Sequence, residues 1–252
     1  MIKMILSGCN GRMGKAIASI AAEYDVVVVA GVDVTDAPSL AFPVYKNIAE
    51  YTGDADVIVD FSHVSALQPI LDYAVARKIP AVLATTGYTE AQLAAIREAS
   101  ANVPLFRSAN MSLGINLLAI LTRKAAAILG DDYDIEIVEK HHNKKLDAPS
   151  GTALILADAA AEAFADGKQY VYDRHSVREE RSKAEIGIHS IRGGTICGDH
   201  DVIFAGYNET VTLSHSVSNR EVFAAGALRA ACYMAGVQEN RMHSMTDLFG
   251  DL

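Results

Sequence analysis

Short apolar runs recur along the first 110 residues, most of them followed by a mixed, helix-like stretch. The pattern predicts strands at 2–7, 26–32, 57–60, 80–84 and 103–106. Helices are predicted at 12–23, 46–51, 64–77 and 89–100. Asp56 to Asp60 and Pro80 to Ala84 are short apolar runs suited to buried strands. Strands alternating with helices predict a parallel sheet covered on both faces. The expected class is α/β, with an N-terminal Rossmann-type dinucleotide-binding domain.

Beyond residue 112 the pattern changes. A long helix is predicted at 113–129, closed by Gly130 as a C-cap. Asp134 to His142 reads as a strand, with Ile135 and Ile137 on one face and Glu136 and Val138 on the other. If that alternation continues, His141 and His142 point to opposite faces and do different jobs. A helix at 152–165 follows, then strand-like segments at 184–192, 195–205 and 209–217. Gly206-Tyr207-Asn208 joins the last two as a hairpin. These elements predict an α+β domain with a mainly antiparallel sheet. Glu221 to Gly236 is Ala-rich and reads as a helix.

Composition narrows the class. The 252 residues carry a net charge of −9, which argues against a nucleic-acid partner. No apolar run reads as long enough to span a bilayer, and the first residues lack a signal-peptide pattern, so a cytoplasmic protein with no membrane partner is expected. Cys9, Cys197 and Cys232 are too few and too scattered for a disulfide framework or a zinc site.

Two stretches carry chemistry. The strand 2–7 runs into Gly8-Cys9-Asn10-Gly11-Arg12-Met13-Gly14, a helix pattern opens behind it, and a second apolar run ends at Asp33. Glycines there allow a tight turn and close approach of backbone to a pyrophosphate, and Asp33 can accept from the adenosine ribose. Cys9 reads as a small filler within this loop. In the second stretch, residues 139–153, His141 and His142 stand beside Lys144 and Lys145, just before the helix start Ser150-Gly151-Thr152. Imidazoles move protons near neutral pH, and lysines and a helix N-terminus attract anions. The bland alternatives are a solvated basic loop, one core and one exposed histidine, and Ser150 as a plain N-cap. His-His-x-x-Lys also suggests a metal, but the lysines oppose a cation and no third ligand has convincing spacing, so no metal is expected. Asp147 could pair with a lysine or fix the turn before Pro149. A lone His63 at a helix start reads as a surface or capping residue.

Together these stretches resemble the dihydrodipicolinate reductase (4-hydroxy-tetrahydrodipicolinate reductase) family, nearly end to end. Further markers are Asp60-Phe61-Ser62, Thr85-Thr86-Gly87, Ser108-Ala109-Asn110-Met111-Ser112, Arg192-Gly193-Gly194 and Phe223-Ala224-Ala225-Gly226-Ala227. The 139–153 block is the most specific. The resemblance implies an oxidoreductase of lysine and diaminopimelate biosynthesis that reduces a cyclic, doubly carboxylated imine with NAD(P)H. It implies a discontinuous dinucleotide-binding domain, 1–111 and 221–252, and a substrate-binding and oligomerisation domain, 112–220, with the ligands in the cleft between them. Residues 8–13, Asp33, Phe61, Thr85, Thr86, Gly87, Ala109, Asn110 and Met111 would line the cofactor. His141 and Lys145 would be the proton-transfer pair. His142, Lys144, Ser150, Gly151 and Thr152 would hold the dicarboxylate, and Arg192-Gly193-Gly194, which could also be a plain turn, would face the substrate. A homotetramer is implied.

Asp33 favours NADH, since a carboxylate repels a 2′-phosphate, and Val34 stands where an NADP site often has arginine. Arg12 and Lys15 could still serve a phosphate. NADH preferred with NADPH accepted is the expectation. A related dehydrogenase has no reason to carry the 139–153 block, and a non-catalytic dinucleotide sensor would be free to lose His141 and Lys145.

Overall fold

The computed structural model of the protein describes residues 1–35 and 40–250. Residues 251–252, at the end of the expected first domain, lie outside the described residues. In chain order the elements begin β1 (Ile2–Ser7), α1 (Arg12–Ile20), β2 (Val26–Val32), β3 (Val44–Tyr45), β4 (Val57–Asp60), α2 (Leu67–Arg77), β5 (Ala81–Leu83), α3 (Glu90–Ser100) and β6 (Leu105–Arg107). They continue with α4 (Leu113–Leu129), β7 (Asp134–His141), α5 (Gly151–Ala161), β8 (Gln169–Val171), β9 (Glu185–Arg192), β10 (Gly198–Ala205), β11 (Thr210–Val217), α6 (Glu221–Met234) and β12 (Met242–His243). Two compact units result, one of residues 1–112 and 221–252, the other of 113–220.

The first unit holds a seven-stranded sheet in the order β12-β6-β5-β4-β1-β2-β3, parallel throughout. Met4, Ile5 and Leu6 of β1 are all fully buried, as two covered faces require. Ile5, Ile58 and Leu105 pack with Leu67, Ile70 and Leu71 of α2 and Ile96 of α3. The alternate residues of these strands face the side where α6 lies on β4, β5 and β6 and meets α1. Register puts Ser7 opposite Val32 and Asp60, Asp60 opposite Leu83, and Leu83 opposite Arg107. The loops after these strands therefore open on one edge.

Several short elements differ from what the pattern predicts. The helix expected at 46–51 is a single 3-10 turn, Ile48–Glu50, whose capping Asn47 side chain accepts from Ala49 N–H. The strands β3, β8 and β12 have two or three residues each, too few to leave a periodic pattern.

The second unit is a five-stranded mixed sheet in the order β11-β10-β7-β9-β8. It is antiparallel at β10–β11 and β10–β7 and parallel at β7–β9 and the short β8–β9 ladder. The parallel pairs arise because α5 carries the chain across between β7 and β8. Helices α4 and α5 pack together, α5 on β7 and β9 and α4 on β10 and β11. Their core includes Leu118, Ala126, Leu156, Ile135, Ile137, Val202 and Phe204.

Helix α4 corrects one expectation. The helical run Leu113–Asp132 is long and apolar enough to cross a membrane by length and composition, with mean hydropathy 1.5. Here Ile115, Leu118, Thr122 and Ala126 form a buried stripe, while Arg123 and Lys124 stay exposed. That is the pattern of a helix packed on a sheet.

Candidate functional site

In the first unit, β1 turns into α1 through Gly8, which has φ +80 and whose Cβ would sit 2.5 Å from the Phe61 carbonyl oxygen. Gly14, in the first turns of α1, touches the same loop: a Cβ there would lie 2.2 Å from Gly8 O. Both positions need glycine for backbone to approach backbone. Gly11 is the N-cap of α1 and supplies no side-chain cap, which leaves first-turn amides for an anion. A dinucleotide fits this cradle. Cys9 is fully buried, burial and then Asp33 push its thiol up to about 11, and a Cβ on Gly31 would lie 2.7 Å from its sulfur. It is a filler, as expected.

Asp33 follows β2 and is tied to the loop. Its Oδ2 accepts from Asn10 N–H at 3.0 Å, and its Oδ1 accepts from Thr35 N–H at 2.9 Å and the Thr35 hydroxyl at 2.7 Å. Burial alone would raise this carboxyl, but the bonds from Thr35 and Asn10 and the charge of Lys46 hold it below the usual carboxylate range. A cleft of about 360 Å³ opens here, lined by Gly8, Asp33, Lys46, Phe61, Ser62 and His63 among others. Lys46 Nζ donates to Val34 O at 3.1 Å. Lys46 carries no local signal in the sequence, because only the β2–β3 pairing brings it beside Asp33. Arg12 is exposed, and Lys15 lines a different cleft with Phe42. His63 caps the turn 64–66, its Nδ1 accepting from Ser65 N–H at 3.2 Å.

Along the same edge, fully buried Asp60 joins two loops. Its Oδ1 accepts from the Ser62 hydroxyl at 2.5 Å and its Oδ2 from the Thr85 hydroxyl at 2.7 Å. The Thr85 hydroxyl is thus engaged within the protein, whereas Thr86 is exposed and Gly87 adopts φ +86. After β6, the Ser108 hydroxyl donates to Asn110 O at 2.7 Å and Ser112 N–H donates to Asn110 Oδ1 at 2.9 Å. Ala109 is exposed, Asn110 half-buried and Met111 buried.

In the second unit, alternation along β7 puts Ile135, Ile137, Glu139 and His141 on the packed face. The strand ends at His141, so His142 begins the following loop and is half-exposed. Glu139, fully buried, accepts from His141 Nδ1 at 2.6 Å, from Ser150 N–H at 3.1 Å, and from Arg192 at 2.8 and 2.7 Å. Burial would raise its carboxyl, but hydrogen bonds from Arg192, Ser190 and His141 outweigh that and hold it at about 2. Arg192 also donates to Asp147 O at 2.7 Å, and Gly193 N–H to His141 O at 2.9 Å, so the 192–194 turn clamps the loop.

Ser150 is the N-cap of α5, its hydroxyl oxygen accepting from Ala153 N–H at 3.1 Å and lying 3.1 Å from His200 Nε2. His200 stands edge-on to His141, ring centres 5.2 Å apart. Burial, and then the neighbouring His141, pushes His200 down to about 4. Arg220 donates to His142 Nε2 at 3.2 Å. Burial first, then the charges of Arg220 and its neighbours, lowers His142 below the usual histidine range. Lys145 is half-buried and pairs with Asp147 at 2.8 Å, whereas Lys144 is exposed. Gly151 opens α5, and a Cβ there would meet nothing within 4 Å. Thr152 follows it in the first turn of α5, half-buried. Glu139, His200 and Arg220 join the cluster without having been expected from the sequence. The alternation of β7 would have exposed Glu139 as a charge on an isoleucine face. The other two come close only through sheet and loop pairing.

The family profile described as "Dihydrodipicolinate reductase, N-terminus" matches residues 2–111, and "Dihydrodipicolinate reductase, C-terminus" matches residues 114–249. A 4-hydroxy-tetrahydrodipicolinate reductase of Caldanaerobacter subterraneus subsp. tengcongensis is 53% identical over 98% of each chain. One from Clostridium tetani is 48% identical over 94% of this chain and 92% of its own. A solved structure of dipicolinate-bound dihydrodipicolinate reductase from Paenisporosarcina sp. TG-14 superposes with a TM-score of 0.79 at 25% identity, covering 97% of each chain.

Proposed function

The chain belongs to the dihydrodipicolinate reductase family, and on that premise we infer that it converts 4-hydroxy-tetrahydrodipicolinate to tetrahydrodipicolinate with NAD(P)H, in lysine and diaminopimelate biosynthesis. The substrate loses water and gains a hydride and a proton. The bound nicotinamide supplies the hydride, and the residues of this chain bind, orient and move the proton.

The observation that carries the site reading is one hydrogen-bonded cluster, His141–Glu139–Ser150, at the start of α5. It puts an imidazole beside a helix N-terminus. The amides of Gly151 and Thr152 and the Thr152 hydroxyl hold one carboxylate of the dianion, and Gly151 lets it come close. Ser150 contributes by capping and orienting that turn. His142 and Lys144 serve the other end of the substrate. His141 and Lys145 are the proton-transfer pair, and a cation there draws electron density from the carbon that takes the hydride.

The Gly8–Met13 loop, Asp33, Phe61, the Thr85–Gly87 loop and Ala109–Met111 hold the dinucleotide. Asp33 makes NADH the preferred form. Lys46 beside it is the cation that lets NADPH be accepted. The first unit is the dinucleotide-binding domain and the second binds substrate and assembles a homotetramer. The face of the second sheet turned from α4 and α5, with Val138, Ile191 and Ile203 partly exposed, supports that assembly. The cytoplasm, with its pool of reduced nicotinamide dinucleotides, is its place of work.

Calorimetric titration with dipicolinate, in the presence of NADH, tests the dianion grip. Binding to the wild type, weakened about 10-fold or more in Thr152→Val, is expected, since a lost hydrogen bond to a charged group costs about 1.5–3 kcal/mol. Absence of binding would remove the dicarboxylate assignment.

A further inference from the structure

Glu139 is a buried charge on a strand face shared with Ile135 and Ile137. A carboxylate stays charged in such a place only when its lone pairs are satisfied. Here Arg192 presents two N–H groups at 2.8 and 2.7 Å and Ser150 N–H a third at 3.1 Å. Arginine does not lose its proton, so this fork makes Glu139 an acceptor only. The 2.6 Å contact between Glu139 Oε2 and His141 Nδ1 is then a hydrogen bond only if Nδ1 carries the hydrogen. Neutral His141 is left with its lone pair on Nε2. That atom faces Gly198, where a Cβ would come within 3.1 Å of it.

The inference rests on His141 as a proton-transfer residue. We propose that Glu139, held by Arg192, is a positioning residue that locks His141 in the Nδ1–H tautomer and makes Nε2 the proton-exchanging atom, with Gly198 leaving that atom uncrowded by a side chain. His200, edge-on to His141, is engaged by Ser150 through its own Nε2 and does not compete for Nδ1. In a Glu139→Gln protein an amide oxygen in the place of Oε1 would still accept from Ser150 N–H and from Arg192 Nη2, while the bond from Arg192 Nη1 to Oε2 would be lost. The amide NH₂ would then face His141 Nδ1 and reverse the tautomer.

Ring ¹⁵N spectra of the full-length protein test this directly. The wild type is expected to show His141 with a protonated Nδ1 and a lone-pair Nε2 signal. In Glu139→Gln the two signals exchange character, and kcat falls by about 100-fold or more, as for other histidines held in the wrong tautomer. Dipicolinate affinity stays within about threefold, which a collapsed site would not preserve. Wild-type His141 protonated on Nε2 would overturn the proposal without any variant. So would an unchanged tautomer in folded Glu139→Gln. Wild-type turnover in His141→Asn would instead sink the proton-transfer reading, whatever the spectra show.

Discussion

The Lys145 ammonium lies 2.8 Å from the Asp147 carboxylate, within the short loop between β7 and α5. The loop thus holds in place the lysine assigned to proton transfer, while Lys144 beside it is exposed. Positioned acid–base groups contribute about 10²–10⁴-fold to rate. Lys145→Ala is expected to lower kcat by that factor, while NADH binding followed by fluorescence titration is unchanged. Lys144→Ala should act on KM more than on kcat. Wild-type turnover in Lys145→Ala would remove the assignment.

Asp33 braces Asn10 and Thr35, and the proposed function gives it the ribose as well. A hydrogen bond to a charged group is worth about 1.5–3 kcal/mol, so Asp33→Ala should weaken NADH by about 10- to 100-fold. NADPH should weaken less, which narrows the gap between the coenzymes. Lys46→Ala should weaken NADPH selectively. Dissociation constants for both coenzymes decide the matter, and a wild type that binds NADPH tighter than NADH would contradict the assigned preference.

Ser150 caps α5 and meets His200. Losing a cap of this kind costs about 1 kcal/mol. For a chain of this size that lowers Tm by about 2–4 °C. Ser150→Ala should show at least this shift by thermal denaturation, and Ser150→Thr much less of it.

His200 gives stability a pH dependence. Its folded value of about 4 lies below the ordinary 6.5. Below pH 6.5 the unfolded chain therefore takes up a proton that the folded chain refuses. Stability from this residue is complete above pH 6.5 and drains away as pH falls towards 4, at up to about 1.4 kcal/mol per pH unit. Glu139, held at about 2 against 4.5, adds a loss of the same sign at lower pH. Urea midpoints of the wild type should fall from pH 7 to pH 5, and less so in His200→Gln. A wild-type midpoint independent of pH over that range would contradict this.

Local signals made the site half-legible in the sequence. Glycine spacing and the acid after β2 marked the dinucleotide loop, and the His-His-Asn-Lys-Lys run before Ser150 marked the second candidate site. Strand alternation assigned His141 to the isoleucine face, though not that β7 would end there and leave His142 in a loop. Partners set by register stayed hidden. Arg192 reaches Glu139 across 53 residues, His200 reaches Ser150 across 50, and Lys46 reaches Asp33 only through a two-residue strand. The apolar length of α4 was underrated, because its charged residues Arg123 and Lys124 interrupt the run in the sequence while the helix as a whole keeps a mean hydropathy of 1.5.

NADH oxidation by the purified protein, with substrate generated in situ from aspartate semialdehyde and pyruvate by the preceding synthase, tests the reductase reaction directly. Rapid loss of NADH absorbance that requires the synthase, with tetrahydrodipicolinate as the product by mass spectrometry, is the predicted result. No oxidation of NADH or NADPH, despite demonstrated dinucleotide binding and an active synthase, would contradict it.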